Sequence, residues 1–259
     1  MSKPTDKKIR RGIYLLPNLF TTACLFAGFF AIVTAMSGNF ESAAIAIFIA
    51  MIMDGLDGRV ARLTNTQSEF GAQYDSLADM VSFGLAPSLV IYLWALSSLG
   101  KLGWLAAFVY TAGTALRLAR FNTQAATVGK RYFQGLASPA AAALIAGLVW
   151  VGTAYVSDGA DWRIAAFFIT LFAGLLMVSN VRYRSFKDLD LKGKIPFVAL
   201  ITIVSVFVFI SIDPPQVLFA IFLGYAVSGP IVTLWALRKR RAERHLHMSD
   251  HKHSDDDTG

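Results

Sequence analysis

Long apolar runs broken by short clusters of charge dominate this sequence and leave it few ways to fold. Eight runs are apolar enough to be spans, at 15–36, 43–53, 80–96, 102–116, 139–156, 164–178, 197–212 and 217–237. A crossing helix needs about 20 predominantly apolar residues. The second run falls short of that, so it spans only if its helix continues into the polar segment that follows. Charged residues make up 16% of the 259 positions, against about 25% in a soluble domain, and they lie between the runs. No soluble domain is left to find. The pattern predicts an all-α fold, a polytopic membrane helical bundle of about eight transmembrane helices. The first run lacks a small-residue cleavage site and reads as a retained helix.

Lysine and arginine set the orientation. One side receives Lys3, Lys7, Lys8, Arg10, Arg11, Arg59, Arg62, Arg117, Arg120, Lys130 and Arg131. It also receives Arg182, Arg184, Lys187, Lys192, Lys194 and the tail from Arg238, whereas the other side receives only Lys101 and Arg163. Both termini are therefore expected in the cytoplasm, in a multi-pass protein of the cell inner membrane. Topology explains the net charge of +7, so no nucleic-acid partner is needed. Three regions follow: a basic N-terminal arm at 1–14, a transmembrane domain at 15–238 and a cytoplasmic tail at 239–259. The tail has few apolar residues and is expected to be disordered. Cys24 is the single cysteine, and all four histidines (His245, His247, His251 and His253) lie in the tail. Neither a disulfide nor a histidine-ligated metal within the bundle is available.

Chemistry concentrates in the segment that starts at Met53. Asp54 and Asp57 are three residues apart, and Gly58 and Ala61 extend the same helical face. Arg62 closes that helix. After a polar turn, a second helix begins near Phe70, with Gly71, Asp75 and Asp79 at four-residue spacing. Two antiparallel helices joined by a short turn would point all four carboxylates into one cleft at the cytoplasmic edge of the bilayer. A membrane-embedded Asp costs roughly 2.5–3.5 kcal/mol at mid-span, and four facing carboxylates repel one another. Divalent cations remove both penalties, and an all-carboxylate shell suits Mg²⁺ or Mn²⁺. Two such ions could clamp a pyrophosphate. Eight specified residues in a fixed frame arise by chance at a given start on the order of one in 10⁹ or less from background frequencies. A catalytic purpose outweighs eight separate structural ones.

The segment resembles the signature of the CDP-alcohol phosphotransferases: D-x-x-D-G-x-x-A-R, eight residues, then G-x-x-x-D-x-x-x-D. Asp54, Asp57, Gly58, Ala61, Arg62, Gly71, Asp75 and Asp79 meet it without departure. Further runs are similar to the family's phosphatidylserine synthase branch: IYLLPNLFTT at Ile13, YDSLADMVSFGLAP at Tyr74, RLARFN at Arg117, GLASPAAA at Gly135 and SNVRYRSFKD at Ser179. The resemblance implies transfer of a phosphatidyl group from CDP-diacylglycerol to L-serine, giving phosphatidylserine and CMP. It implies that Asp54, Asp57, Asp75 and Asp79 hold two divalent ions, and that Asp79 is also the general base. Gly58, Ala61, Arg62 and Gly71 would line the CDP site, with Asn18 and Thr21 reaching the nucleotide. Arg117 or Arg120 is the candidate for the serine carboxylate, with basic residues around Arg182 as rivals. A homodimer is also implied. The same chemistry on glycerol 3-phosphate, inositol phosphate or choline stays open. So does a cation-coupled transporter, although no inverted repeat supports it.

Overall fold

The computed structural model describes residues 15–125, 133–155, 159–183 and 197–256. The N-terminal arm at 1–14 lies outside them, as do Lys130, Arg131, Arg184, Lys187, Lys192 and Lys194. Nine α-helices follow one another among the described residues. They are α1 (Leu15–Met36), α2 (Phe40–Leu63), α3 (Glu69–Asp79), α4 (Ala86–Trp94), α5 (Lys101–Ala125), α6 (Ser138–Tyr155), α7 (Arg163–Val178), α8 (Phe197–Ile212) and α9 (Pro214–Asp256). The one extended pairing among them is a two-residue antiparallel bridge between β1 (Phe133–Gln134) and β2 (Arg182–Tyr183).

Within the described residues the apolar runs have become helix, because a buried or lipid-facing backbone must satisfy its own hydrogen bonds. The short second run spans 24 residues once its helix continues through the polar segment to Leu63. About eight crossings were expected. Among the described residues six helical segments are long and apolar enough: Leu16–Met36, Glu69–Trp94, Lys101–Thr123, Ser138–Tyr155, Gly159–Val178 and Pro214–Trp235. α2 is long enough but carries Glu41, Asp54, Asp57, Arg59 and Arg62, and α8 has 16 residues.

α6 is the axis of the bundle. From Ala140 to Val149 every residue is buried, and α2, α4, α7 and α9 surround it. Its run of alanines lets these neighbours approach closely, as small residues do where lipid supplies no hydrophobic drive. Large side chains face outward instead, among them Phe26, Phe29, Phe30, Phe168 and Phe207. α5 and α7 meet backbone to backbone. A Cβ on Gly113 would stand 2.6 Å from the Gly174 carbonyl oxygen, and one on Gly174 would stand 2.9 Å from the Tyr110 Cα. Gly113→Ala is therefore expected to destabilise the bundle by about 1–3 kcal/mol, the usual cost of overpacking. Thermal unfolding in detergent measures this, and an unchanged midpoint would show that the contact yields.

α9 carries Pro230 in its interior. Proline has no N–H to give to the carbonyl four residues earlier, which is that of Ala226. The hydroxyl of Tyr183 on β2 donates to that carbonyl instead, at 2.8 Å, and its ring packs against Gly229. The tail differs from expectation, since α9 runs on to Asp256. A helix already nucleated in the bundle extends at little cost through good helix formers such as Arg, Ala, Glu and Leu.

Candidate active site

The α2–α3 hairpin is encoded locally. α2 ends at Leu63 with Arg62 in its last turn, where a cation favours the helix dipole. Asn65 takes a left-handed conformation, φ 52°, which asparagine tolerates better than most residues. The Thr64 and Thr66 hydroxyls bond each other at 2.7 Å. Ser68 then caps α3 by accepting from the Gly71 N–H at 3.0 Å. The chain reverses in a few residues and brings two carboxylate-bearing faces together.

Three of the four aspartates converge, and Asp79 adjoins them beside Asp54. Carboxylate oxygens of Asp54, Asp57 and Asp75 all lie within 4.8 Å of one another. The Asp79 carboxyl faces Asp54, and the Asp57 carboxyl faces Asp75, each at hydrogen-bonding approach. Oδ1 of Asp79 is buried with no hydrogen-bond partner. Asp57 is 6% exposed and accepts a 2.8 Å hydrogen bond from Thr21 of α1. Two unit charges 4.8 Å apart repel by roughly 3.5 kcal/mol even at an effective dielectric constant of 20. The cluster is unstable as a set of bare anions. Hard oxygen donors, close spacing and an orphaned buried oxygen fit a divalent cation.

Sequence had placed Asn18 and Thr21 at the nucleotide. Thr21 donates to the Asp57 carboxylate, and Asn18 stands at the start of α3, its Oδ1 3.6 Å from where a Gly71 Cβ would lie. Gly58 and Arg62 are exposed on the last turns of α2, and Ala61 beside them is half-buried. Thr21→Val removes the hydroxyl that orients Asp57 and is expected to weaken Mn²⁺ binding by about 10–100-fold. A paramagnetic resonance titration of free Mn²⁺ measures it. Binding as tight as in the parent would show that Asp57 needs no such anchor.

The two arginines of α5 part ways. Nη1 and Nη2 of Arg120 donate to the carbonyls of Val178 at 3.2 Å and Gln134 at 3.0 Å, with longer bonds to Asn180 Oδ1 and the Ser179 carbonyl. Its guanidinium ties the end of α7 to β1 and is not directed at the carboxylates. Arg117 donates from Nη1 to the Ser138 hydroxyl at 2.8 Å, and its Nε is buried without a partner. Asp79 and Tyr225 of α9 lie within its electrostatic reach. Sequence reasoning overlooked Ser138, although the serine at the start of the α6 alanine run was a usable signal. It also missed two polar ties of α3: the Tyr74 hydroxyl meets Thr22 at 2.9 Å, and Ser76 bonds Asn122 at 3.2 Å.

The model of the CDP-alcohol phosphatidyltransferases matches residues 14–179, which include the whole hairpin and both arginines. The chain belongs to that family. Among family relatives, the CDP-diacylglycerol–serine O-phosphatidyltransferase of Helicobacter pylori is 39% identical over 229 residues, covering 88% of this chain and 94% of its own. The enzyme of the same name from Mycobacterium tuberculosis is 32% identical over 244 residues, covering 90% and 82%. The archaetidylserine synthase of Methanothermobacter thermautotrophicus is 34% identical over 180 residues, covering 69% and 72%.

Proposed function

We infer that this chain transfers the phosphatidyl group of CDP-diacylglycerol to L-serine, releasing CMP. The observation that carries the reading is the cluster of Asp54, Asp57 and Asp75, with Asp79 beside Asp54, on two adjoining helices. Family membership and relatives named for serine transfer support it.

Asp54, Asp57, Asp75 and Asp79 would hold divalent cations, read as two ions of Mg²⁺ or Mn²⁺. Bound there, such ions neutralise a pyrophosphate and stabilise the charge that develops on its oxygens. The protein's own groups do the rest. Gly58, Ala61, Arg62 and Gly71, with Asn18 and Thr21, line the approach for CDP. An apolar groove of about 440 Å³ between α1 and α2 includes Phe26, Phe30 and Ile49 and reaches Met53, next to Asp54. It suits an acyl chain of the same lipid. Arg117, steadied by Ser138, takes the serine carboxylate. Asp79 accepts the proton of the serine hydroxyl. That oxygen forms a bond to the lipid-side phosphorus as the bond from phosphorus to the CMP oxygen breaks, and the proton leaves with CMP or solvent.

Eight crossings with both ends in the cytoplasm, α2 and α8 included, would put this cleft at the cytoplasmic face of the inner membrane. Reporter fusions after residue 259 test the orientation, and a periplasmic signal would reverse it. A homodimer is read from the family, and native mass spectrometry in detergent would overturn it by recording only single chains.

The reaction is tested with purified protein, CDP-diacylglycerol and labelled serine, glycerol 3-phosphate, inositol phosphate or choline. Serine-dependent release of CMP with a labelled lipid product is expected. An active glycerol 3-phosphate reaction without phosphatidylserine would refute serine as the acceptor.

A further inference from the structure

Directly after Asp79, the third helix changes register. Met80–Leu85 form a π-turn before α4 resumes the α-helix at Ala86. Such turns insert one residue into a helix and concentrate at functional sites. The cause here is visible in the sequence. Pro87 follows four residues after Phe83, so an uninterrupted α-helix would leave the Phe83 carbonyl without its donor and press the proline ring against it. The hydroxyl of Tyr110 on α5 donates to that carbonyl at 3.0 Å. Tyr110 and Phe83 are each 0% exposed, so no water competes for the position. On the opposite flank, Ser82 donates to the Cys24 carbonyl of α1 at 3.0 Å. α1 lies flush there, since a Cβ on Gly28 would stand 2.6 Å from the Ser82 Cα.

The consequence for the site follows from helical geometry. α4 is fixed in the core by Ala86, Val90, Ile91 and Trp94. α3, on the other side of the turn, carries Asp75 and Asp79. One residue corresponds to about 100° of rotation in an α-helix. With α4 held, removing the inserted residue would turn both carboxylates away from Asp54 and Asp57.

We propose that Pro87 and Tyr110 are positioning residues: the proline forces the π-turn, the phenol seals it, and together they aim Asp75 and Asp79 into the carboxylate cleft. Neither touches the reacting atoms. The proposal rests on the carboxylates being the working cluster, as read above.

The test separates register from simple stability. Pro87→Ala restores an N–H and makes the straight α-helix competitive. It is expected to keep or raise the thermal midpoint while weakening Mn²⁺ binding at least 10-fold by paramagnetic resonance, and slowing serine-dependent CMP release by a similar factor. Tyr110→Phe is expected to weaken Mn²⁺ binding and lower the midpoint as well. In the double variant, the restored N–H at residue 87 can serve the Phe83 carbonyl. The midpoint should recover and Mn²⁺ binding should not. If Pro87→Ala binds Mn²⁺ and turns over like the parent, or the double variant regains full Mn²⁺ binding, the positioning role is overturned. The Mn²⁺ readout needs no turnover, so a parent protein inactive on serine would sink the acceptor reading while the register comparison still decides this one.

Discussion

Asp79→Asn is expected to lower CMP release from CDP-diacylglycerol and serine by about 10²–10⁴-fold, the contribution of a positioned general base. The substitution preserves shape and one coordinating oxygen while removing the basic one. Asp79 is singled out by its surroundings. Asp57 receives a hydrogen bond from Thr21, whereas Asp79 keeps a buried oxygen without a partner, beside both Asp54 and Arg117. Binding of CDP-diacylglycerol, followed by equilibrium titration, should change far less than the rate. Parent-like turnover in this variant would take the base role away from Asp79 and pass it to another carboxylate or to water.

Arg117→Ala is expected to raise the KM for serine by roughly 30-fold or more, and to leave the KM for CDP-diacylglycerol near that of the parent. Truncating one partner of a buried, hydrogen-bonded charge pair costs about 2–5 kcal/mol, which sets that scale. Arg117→Lys should recover little, because an ammonium cannot serve Ser138 and a carboxylate with the same planar fork. Arg120→Ala supplies the contrast. Its bonds go to backbone carbonyls at the end of α7 and at β1, so its loss should appear as a lower thermal midpoint. Should Arg117→Ala leave serine saturation untouched, the carboxylate is held elsewhere.

The difference between these two arginines marks how far the sequence can be read. The four aspartates were legible because their spacing matches the helical period, and a short polar turn can only fold the two faces together. The apolar runs were legible for a similar reason, since lipid allows a backbone few alternatives to helix. Arg117 and Arg120 share a helix face and a charge, and nothing local separates them. Their partners, Ser138 and the carbonyl of Val178, come from two other helices, α6 and α7. The bond from Thr21 to Asp57 is hidden for the same reason, because it crosses from α1 to α2. The π-turn lay between these extremes. Pro87 lies inside the run 80–96, four residues after Phe83, but the phenol that completes the turn is contributed by α5.

The pairing of Tyr183 with the Ala226 carbonyl makes the last helix a lever. Burial, and next the neighbouring Tyr225, push the Tyr183 phenol still further above its ordinary ionisation range, so the pivot holds its proton throughout the physiological range. Beyond Pro230 the helix continues to Asp256, an arm of about 26 residues and roughly 39 Å at 1.5 Å each. A tilt of about 10° at the pivot would sweep its tip through roughly 7 Å by that length. The short side of the pivot carries Tyr225, next to Arg117. A spin label near the far end of the arm would therefore magnify small displacements at the arginine into ones large enough to measure.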